Sequence, residues 1–130
     1  MDEAMRVICC GSRDWVDSRI IWEALSDLAD THPDAEVVHG AARGADSIAG
    51  RVAKALGLTV TAVPADWNTY GKAAGAVRNK EMLGMAPDRV YAFRCLGESK
   101  GTDNMIQIAQ KAGVPVAVYL EDGRVHALPG

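Results

Sequence analysis

Arg78 and Asn79 stand side by side just after Gly75, where a helix could begin. A helix start offers unpaired backbone N–H groups and a partial positive charge, so an Arg and an Asn beside one suit an anion and a ribose. The structural alternative is that Asn79 caps the helix and Arg78 pairs with a surface carboxylate. Two glycine-containing turns carry related chemistry. Gly40-Ala41-Ala42-Arg43-Gly44 follows a strand-like run and opens a helix, where glycine lets a phosphate approach backbone amides. It is neither GxGxxG, because Ala42 takes the second glycine's place, nor a P-loop, because it lacks the Gly-Lys-Ser/Thr ending. Gly101-Thr102-Asp103 opens a second such helix, with Thr102 either donating to a phosphate or capping. Asp46, Asp66 and Asp103 could take ribose hydroxyls or serve in acid/base work, although Asp46, in a first helical turn, is favourable for structural reasons alone. Trp15 and Trp67 could stack on a base or plug the gap between loop and helix. His39 closes a strand, a place that more often holds a hydrogen-bonded structural residue than a catalyst.

These groups need elements to position them. Residues 5–10 read as a buried strand closed by Gly11. Residues 18–30 carry Ile20, Ile21, Ala24, Leu25, Leu28 and Ala29 at helical spacing, with Asp17 or Ser18 as N-cap and Pro33 beyond the end. A second strand spans 35–39, and a helix follows through Ile48, Ala49, Val52, Ala53 and Leu56 to a C-cap at Gly57. Strand three is 58–63, and the helix after the 64–78 loop ends before Pro87. Strand four is 88–93, a helix stripe runs from Met105 to Ala112, and strand five is 114–120. Asp122-Gly123 is a hairpin signal that lets 124–128 return as an antiparallel edge strand. The alternation predicts an α/β fold: one Rossmann-like domain over 1–130, with a mainly parallel sheet of about five strands flanked by helices.

In such a sheet ligands bind beyond the carboxyl ends of the strands. The four loops leaving those ends, 11–15, 39–47, 64–78 and 94–103, are rich in glycine and hydrogen-bonding side chains. The loops at the opposite edge are bland. Tight turns alone do not explain why the polar residues gather at one edge.

Composition excludes other classes. The chain has 130 residues, 48% hydrophobic and 24% charged, with a formal net charge of −3, which argues against a general attraction to nucleic acid or anionic membrane. No apolar run approaches the roughly 20 residues that span a bilayer, and the start of the chain lacks the apolar core of a signal peptide. The three cysteines include the adjacent Cys9 and Cys10, whose side chains must face opposite sides of a strand; the expectation is buried thiols in a reducing cytoplasm. No Cys/His spacing suggests a metal, and no cofactor is expected.

Taken in order, Gly11-Ser12-Arg13, His39-Gly40-Ala41-Ala42-Arg43-Gly44-Ala45-Asp46, Ala65-Asp66-Trp67, Gly75-Ala76-Val77-Arg78-Asn79-Lys80-Glu81-Met82 and Ser99-Lys100-Gly101-Thr102 resemble the YspA/cpYpsA-related branch of the SLOG superfamily. The resemblance covers about residues 5–120. It implies a Rossmann-like fold, a homodimer, and a prokaryotic or phage protein that senses a nucleotide or nucleotide-derived signal. Gly11, Ser12, Arg13, Arg43, Gly44 and Ser99 join the ligand-binding set with the residues named above. The lonely-guy phosphoribohydrolases, which release a free base from a nucleoside 5′-monophosphate, are similar through Arg78-Asn79-Lys80-Glu81-Met82 and Gly101-Thr102-Asp103-Asn104-Met105. That likeness puts Arg78 on their catalytic Arg. It puts Met105 where their catalytic Glu stands, a residue that cannot act as acid or base, and leaves Asp103 and Asp46 as the substitute carboxylates. The DNA-processing protein A family, which binds single-stranded DNA, is similar through Ala42-Arg43-Gly44-Ala45-Asp46 and Arg78-Asn79.

Three functions therefore stand. The first is binding of a nucleotide, with phosphate on the 40–44 and 101–102 amides and Arg78, ribose on Asp46, Asp66 or Asn79, and base against Trp15 or Trp67. The second is cleavage of an N-glycosidic bond with Arg78, Asp103 and Asp46 as catalytic groups. The third is single-strand nucleic-acid binding.

Overall fold

Six short apolar or alternating strands and the helices between them account for nearly all of the chain in the computed structural model, which describes residues 4–130; the part of the one-domain expectation that falls on 1–3 lies outside them. The elements are β1 (Arg6–Gly11), α1 (Ser18–Thr31), β2 (Glu36–His39), α2 (Ala45–Ala55), β3 (Thr59–Ala62), α3 (Trp67–Tyr70), α4 (Ala74–Leu83), β4 (Arg89–Arg94), α5 (Lys100–Lys111), β5 (Val116–Leu120) and β6 (Val125–Leu128). A 3-10 turn, Gly71–Ala73, joins α3 to α4. Strand order is β3-β2-β1-β4-β5-β6, parallel except for the antiparallel β5–β6 pair. The α/β expectation holds, including the returning edge strand, which pairs Tyr119 with Val125 and Val116 with Leu128.

The central strands are buried on both faces, as parallel strands covered by helices must be. On one face Val7, Cys9, Val37 and Phe93 pack under Ile21, Leu25 and Leu28 of α1 and Ile48, Ala49 and Val52 of α2. On the other Ile8, Cys10, Val38, Val90 and Ala92 pack under Met82 of α4 and Met105 and Ala109 of α5. Cys9 and Cys10 thus enter opposite cores as free thiols, as strand alternation requires. Asp17 caps α1 by accepting from the Arg19 amide at 2.9 Å, and Gly57 follows α2 at φ +79°.

Two local expectations need correcting. The 64–78 segment is not all loop: Asp66 accepts from the Thr69 amide at 3.1 Å and starts the single helical turn α3, too short to show any apolar period. Nor does Asn79 cap a helix, since α4 starts at Ala74 and carries Asn79 in its second turn. Among the described residues no helix is long and apolar enough to cross a membrane.

The topology fixes where a ligand can enter. From β1 the chain crosses to β2 on one side, and from β4 it crosses to β5 on the other, so the loops after β1 and β4 diverge. A crevice opens outside the carboxyl ends of these neighbouring strands.

Candidate functional site

That crevice is a cleft of about 540 Å³, within the range of small-molecule sites. All four loops singled out by their polarity contribute to it: Ser12 and Arg13 after β1, Arg43 and Asp46 after β2, Trp67, Arg78 and Asn79 after β3, and Ser99, Gly101 and Thr102 after β4. Ser12 ties its two rims together. Its Oγ lies 2.6 Å from Ser99 Oγ and accepts from the Cys95 amide at 2.9 Å. Gly11 lets this happen, because a Cβ there would stand 2.3 Å from the Phe93 carbonyl oxygen.

Arg78 is held from two directions. Its Nη1 donates to the Gly40 carbonyl at 2.5 Å and its Nε to Asn79 Oδ1 at 3.1 Å. Among the described residues Nη2 has no hydrogen-bond partner and Arg78 makes no ion pair with a carboxylate. The guanidinium lies so close over Gly40 that a Cβ there would sit 2.4 Å from Nη1. Asn79 is buried and fully used: its Nδ2 donates to Asn104 Oδ1 at 3.0 Å and to the Gly101 carbonyl at 3.3 Å. It positions Arg78 and fastens α4 to α5.

Asp46 is 4% exposed and accepts from the Gly40 amide at 2.8 Å, with the Ala42 amide turned toward it. Burial pushes its pKa up to about 6, opposed by the Arg78 charge, the two amides and Arg13. The Ala41 amide donates to His39 Nδ1 at 3.0 Å, which puts the proton of the neutral imidazole on Nε2. Burial and the Lys54 charge lower the His39 pKa, so the ring stays neutral and structural. The Gly40 and Ala41 amides are therefore committed within the protein and the Ala42 amide faces Asp46, so this turn is not the phosphate cradle that its glycines suggest. Gly40 makes room for Arg78, and Gly44, at φ +78°, for the Ser12 and Arg13 carbonyls.

The turn into α5 is built differently. The bond from the Asp103 amide to the Ser99 carbonyl, 2.9 Å, is the first of the helix, so the Lys100, Gly101 and Thr102 amides precede the ladder. Thr102 is not the cap, since Ser99 holds that position. Thr102 is 5% exposed, lines the cleft, and its hydroxyl takes no partner among the described residues. A Cβ at Gly101 would meet open space.

Other expected site residues lie elsewhere. Trp15 is 2% exposed, set edge-on to Phe93 at 5.8 Å with its Nε1 donating to the Asp17 carbonyl, so it is core. Asp66 is spent on capping α3, and its pKa falls for that reason. Asp103 is gripped by Arg94 through two bonds of 2.7 and 3.0 Å, which lower its pKa, and it does not line the cleft. Met105 is fully buried. Trp67, by contrast, is 49% exposed at the mouth, with the Arg13 guanidinium 5.5 Å from its ring centre.

Sequence reasoning missed Asp14, Lys72, Glu98, Lys100 and Asn104, all in the cleft wall. Each lies in or beside a loop already marked as polar, but no spacing distinguishes them from solvated surface charges. With them the cleft holds five cationic side chains (Arg13, Arg43, Lys72, Arg78, Lys100) against three carboxylates (Asp14, Asp46, Glu98), on a chain of net charge −3. Two of those carboxylates make exposed, weak pairs: Asp14 with Arg43 at 3.6 Å and Glu98 with Lys100 at 3.4 Å. Among the described residues no group of acidic, His and Cys side chains is placed to hold a metal ion.

Comparison with known proteins agrees with this architecture. Residues 5–70 match the family described as YAcAr: YspA, cpYpsA-related SLOG family. The chain is also 46% identical over 117 residues to the Gene 61 protein of Mycobacterium phage D29, a match covering 85% of this chain and 93% of that protein.

Proposed function

We propose a function from one premise: the chain belongs to the YspA/cpYpsA-related SLOG family. The cleft between the loops after β1 and β4 binds a nucleotide or nucleotide-derived anion and reports its presence. One observation carries this reading. The open donors of the cleft, the Lys100–Gly101–Thr102 amides, the Thr102 hydroxyl and Arg78 Nη2, line one crevice with a surplus of positive charge. Phosphate oxygens are acceptors only, and they suit a helix N-terminus with a pre-oriented Arg. Trp67 offers its exposed ring to the base. Asp46 and Asn79, committed to Gly40 and to Arg78, serve as positioning residues rather than ribose ligands.

Binding without hydrolysis is favoured by the same contacts. Asp103 is neutralised by Arg94, and Met105 offers no proton chemistry. The test is a thermal-shift series with nucleoside 5′-monophosphates, followed by chromatography of the mixtures. A ligand that binds the native state raises Tm. The expected result is a rise with the nucleotide recovered intact, lost in Arg78→Ala. Release of free base would make the protein a hydrolase, and no shift with any mononucleotide would overturn the reading.

A further inference from the structure

A second chamber of about 310 Å³ adjoins the cleft and shares Arg13, Ala42, Arg43, Trp67 and Arg78 with it. Three arginines and a tryptophan therefore stand on the boundary between two cavities. The walls of the second chamber proper are Gly40, Ala41, Pro64 and Ala65, all small and without side-chain donors. Its backbone offers no phosphate cradle either, because the Gly40 and Ala42 amides face Asp46 and the Ala41 amide faces His39. Ala41 holds φ +58°, a conformation uncommon for a side chain other than glycine, and this fixes the amides in that direction.

The two chambers thus differ in kind. The cleft has open donors at the start of α5, with Lys72 and Lys100 nearby. The second chamber is walled by small residues without side-chain donors, flanked by the half-exposed Trp67 ring, and charged only at its boundary. The walls peculiar to the second chamber (Gly40, Ala41, Pro64 and Ala65) take no part in the mononucleotide site proposed above. Arg13 stands over the Trp67 ring at 5.5 Å and lends its charge to Asp46, and Arg43 meets Asp14 at 3.6 Å in an exposed pair, so both guanidinium groups keep donors for a further anionic group.

We infer that the ligand is two-ended: two nucleoside units joined through phosphate, the joining phosphate on the arginine boundary and the second ring in the chamber floored by Ala41, Pro64 and Ala65. This rests on the nucleotide reading above and narrows its ligand class.

The experiment is calorimetric titration of the full chain with AMP, with the phosphodiester-linked dinucleotide pApA and with the pyrophosphate-linked NAD+, at one fixed salt concentration. At least one of the two-ended ligands binds tenfold or more tightly than AMP, and which one does so identifies the linkage. Ala65→Phe, which fills the second chamber only, removes that advantage and leaves AMP affinity within about twofold; Tm confirms that the variant is folded. AMP binding as tightly as both two-ended ligands would overturn this inference while the nucleotide reading stands. Loss of all three affinities in the wild type would overturn both. A dinucleotide advantage that survives in Ala65→Phe would overturn the placement of the second ring.

Discussion

The turns entering α2 and α5 look alike in sequence and behave oppositely. Both leave a parallel strand at the same edge of the sheet, both contain glycine, and both open a helix beside the cleft. In the first, the Gly40 and Ala41 amides are taken by Asp46 and His39, the Ala42 amide faces Asp46, the Gly40 carbonyl is taken by Arg78, and the Ala42 carbonyl by the Ser47 hydroxyl at 2.8 Å. In the second, the Lys100, Gly101 and Thr102 amides lie ahead of the helix ladder and the Thr102 hydroxyl takes no protein partner. One turn is scaffold that aims an arginine; the other offers donors. A glycine between a strand and a helix marks close approach, but what approaches can be the protein's own side chain.

The sharpest way to break this comparison is to add one methyl group to each turn. Gly40→Ala drives a Cβ into the Arg78 guanidinium, which must swing off the Gly40 carbonyl; it costs about 1 kcal/mol of stability, the worth of that hydrogen bond, and lowers nucleotide affinity, as read by denaturant melts and calorimetry. Gly101→Ala meets open space inside a helix and leaves stability unchanged or raised by up to about 1 kcal/mol. Equal losses in the two variants would erase the distinction.

Asp46 supplies the next test through pH. Its folded pKa of about 6 lies above the ordinary carboxylate value, so between the two the folded state binds more protons than the unfolded one. The stability lost to a buried charge above pH 6 is regained as pH falls toward 4. His39, with a lowered pKa, acts in the opposite sense as pH falls through 6.5, so the comparison must be made against a variant. Asp46→Asn keeps an acceptor for Gly40 and removes the charge. Its stability advantage over the wild type is largest near pH 8 and shrinks toward pH 4.5, measured by urea melts at each pH. An advantage that grows as pH falls would contradict the assignment.

The smallest expected effect belongs to the open turn. Thr102→Val preserves shape and removes the hydroxyl. It lowers affinity about 2- to 10-fold, the worth of one hydrogen bond, and leaves Tm unchanged because no protein partner is lost. A large fall in Tm would show that the hydroxyl is structural.

The fold was largely legible because strand and helix periods differ and because parallel strands buried on both faces read as continuous apolar runs, as in Val7-Ile8-Cys9-Cys10. The location of the cleft was legible too, since the polar loops all leave one edge of the sheet. The division of labour within it was not. Whether the Gly40 amide is free depends on Asp46 six residues later, and the seating of Arg78 on its carbonyl spans 38 residues. Trp15 and Trp67 stand in equivalent loops, yet the first meets Phe93 and is buried while the second meets Arg13 and stays exposed. Asp103 looked free because its partner Arg94 had no sequence pattern linking the two. The order of motifs that resembles the SLOG family depends on none of these partnerships, which is why it could be read first.

The central claim is that nucleotide phosphate is held by the start of α5 and Arg78, and not by the glycine turn before α2. The measurement that tests it most directly is an amide-resolved NMR titration with AMP. The account predicts that the largest shifts fall on Lys100, Gly101 and Thr102 and on the Arg78 side chain, with the Gly40, Ala41 and Ala42 amides nearly unmoved. Dominant shifts at 40–42, with 100–102 silent, would contradict it.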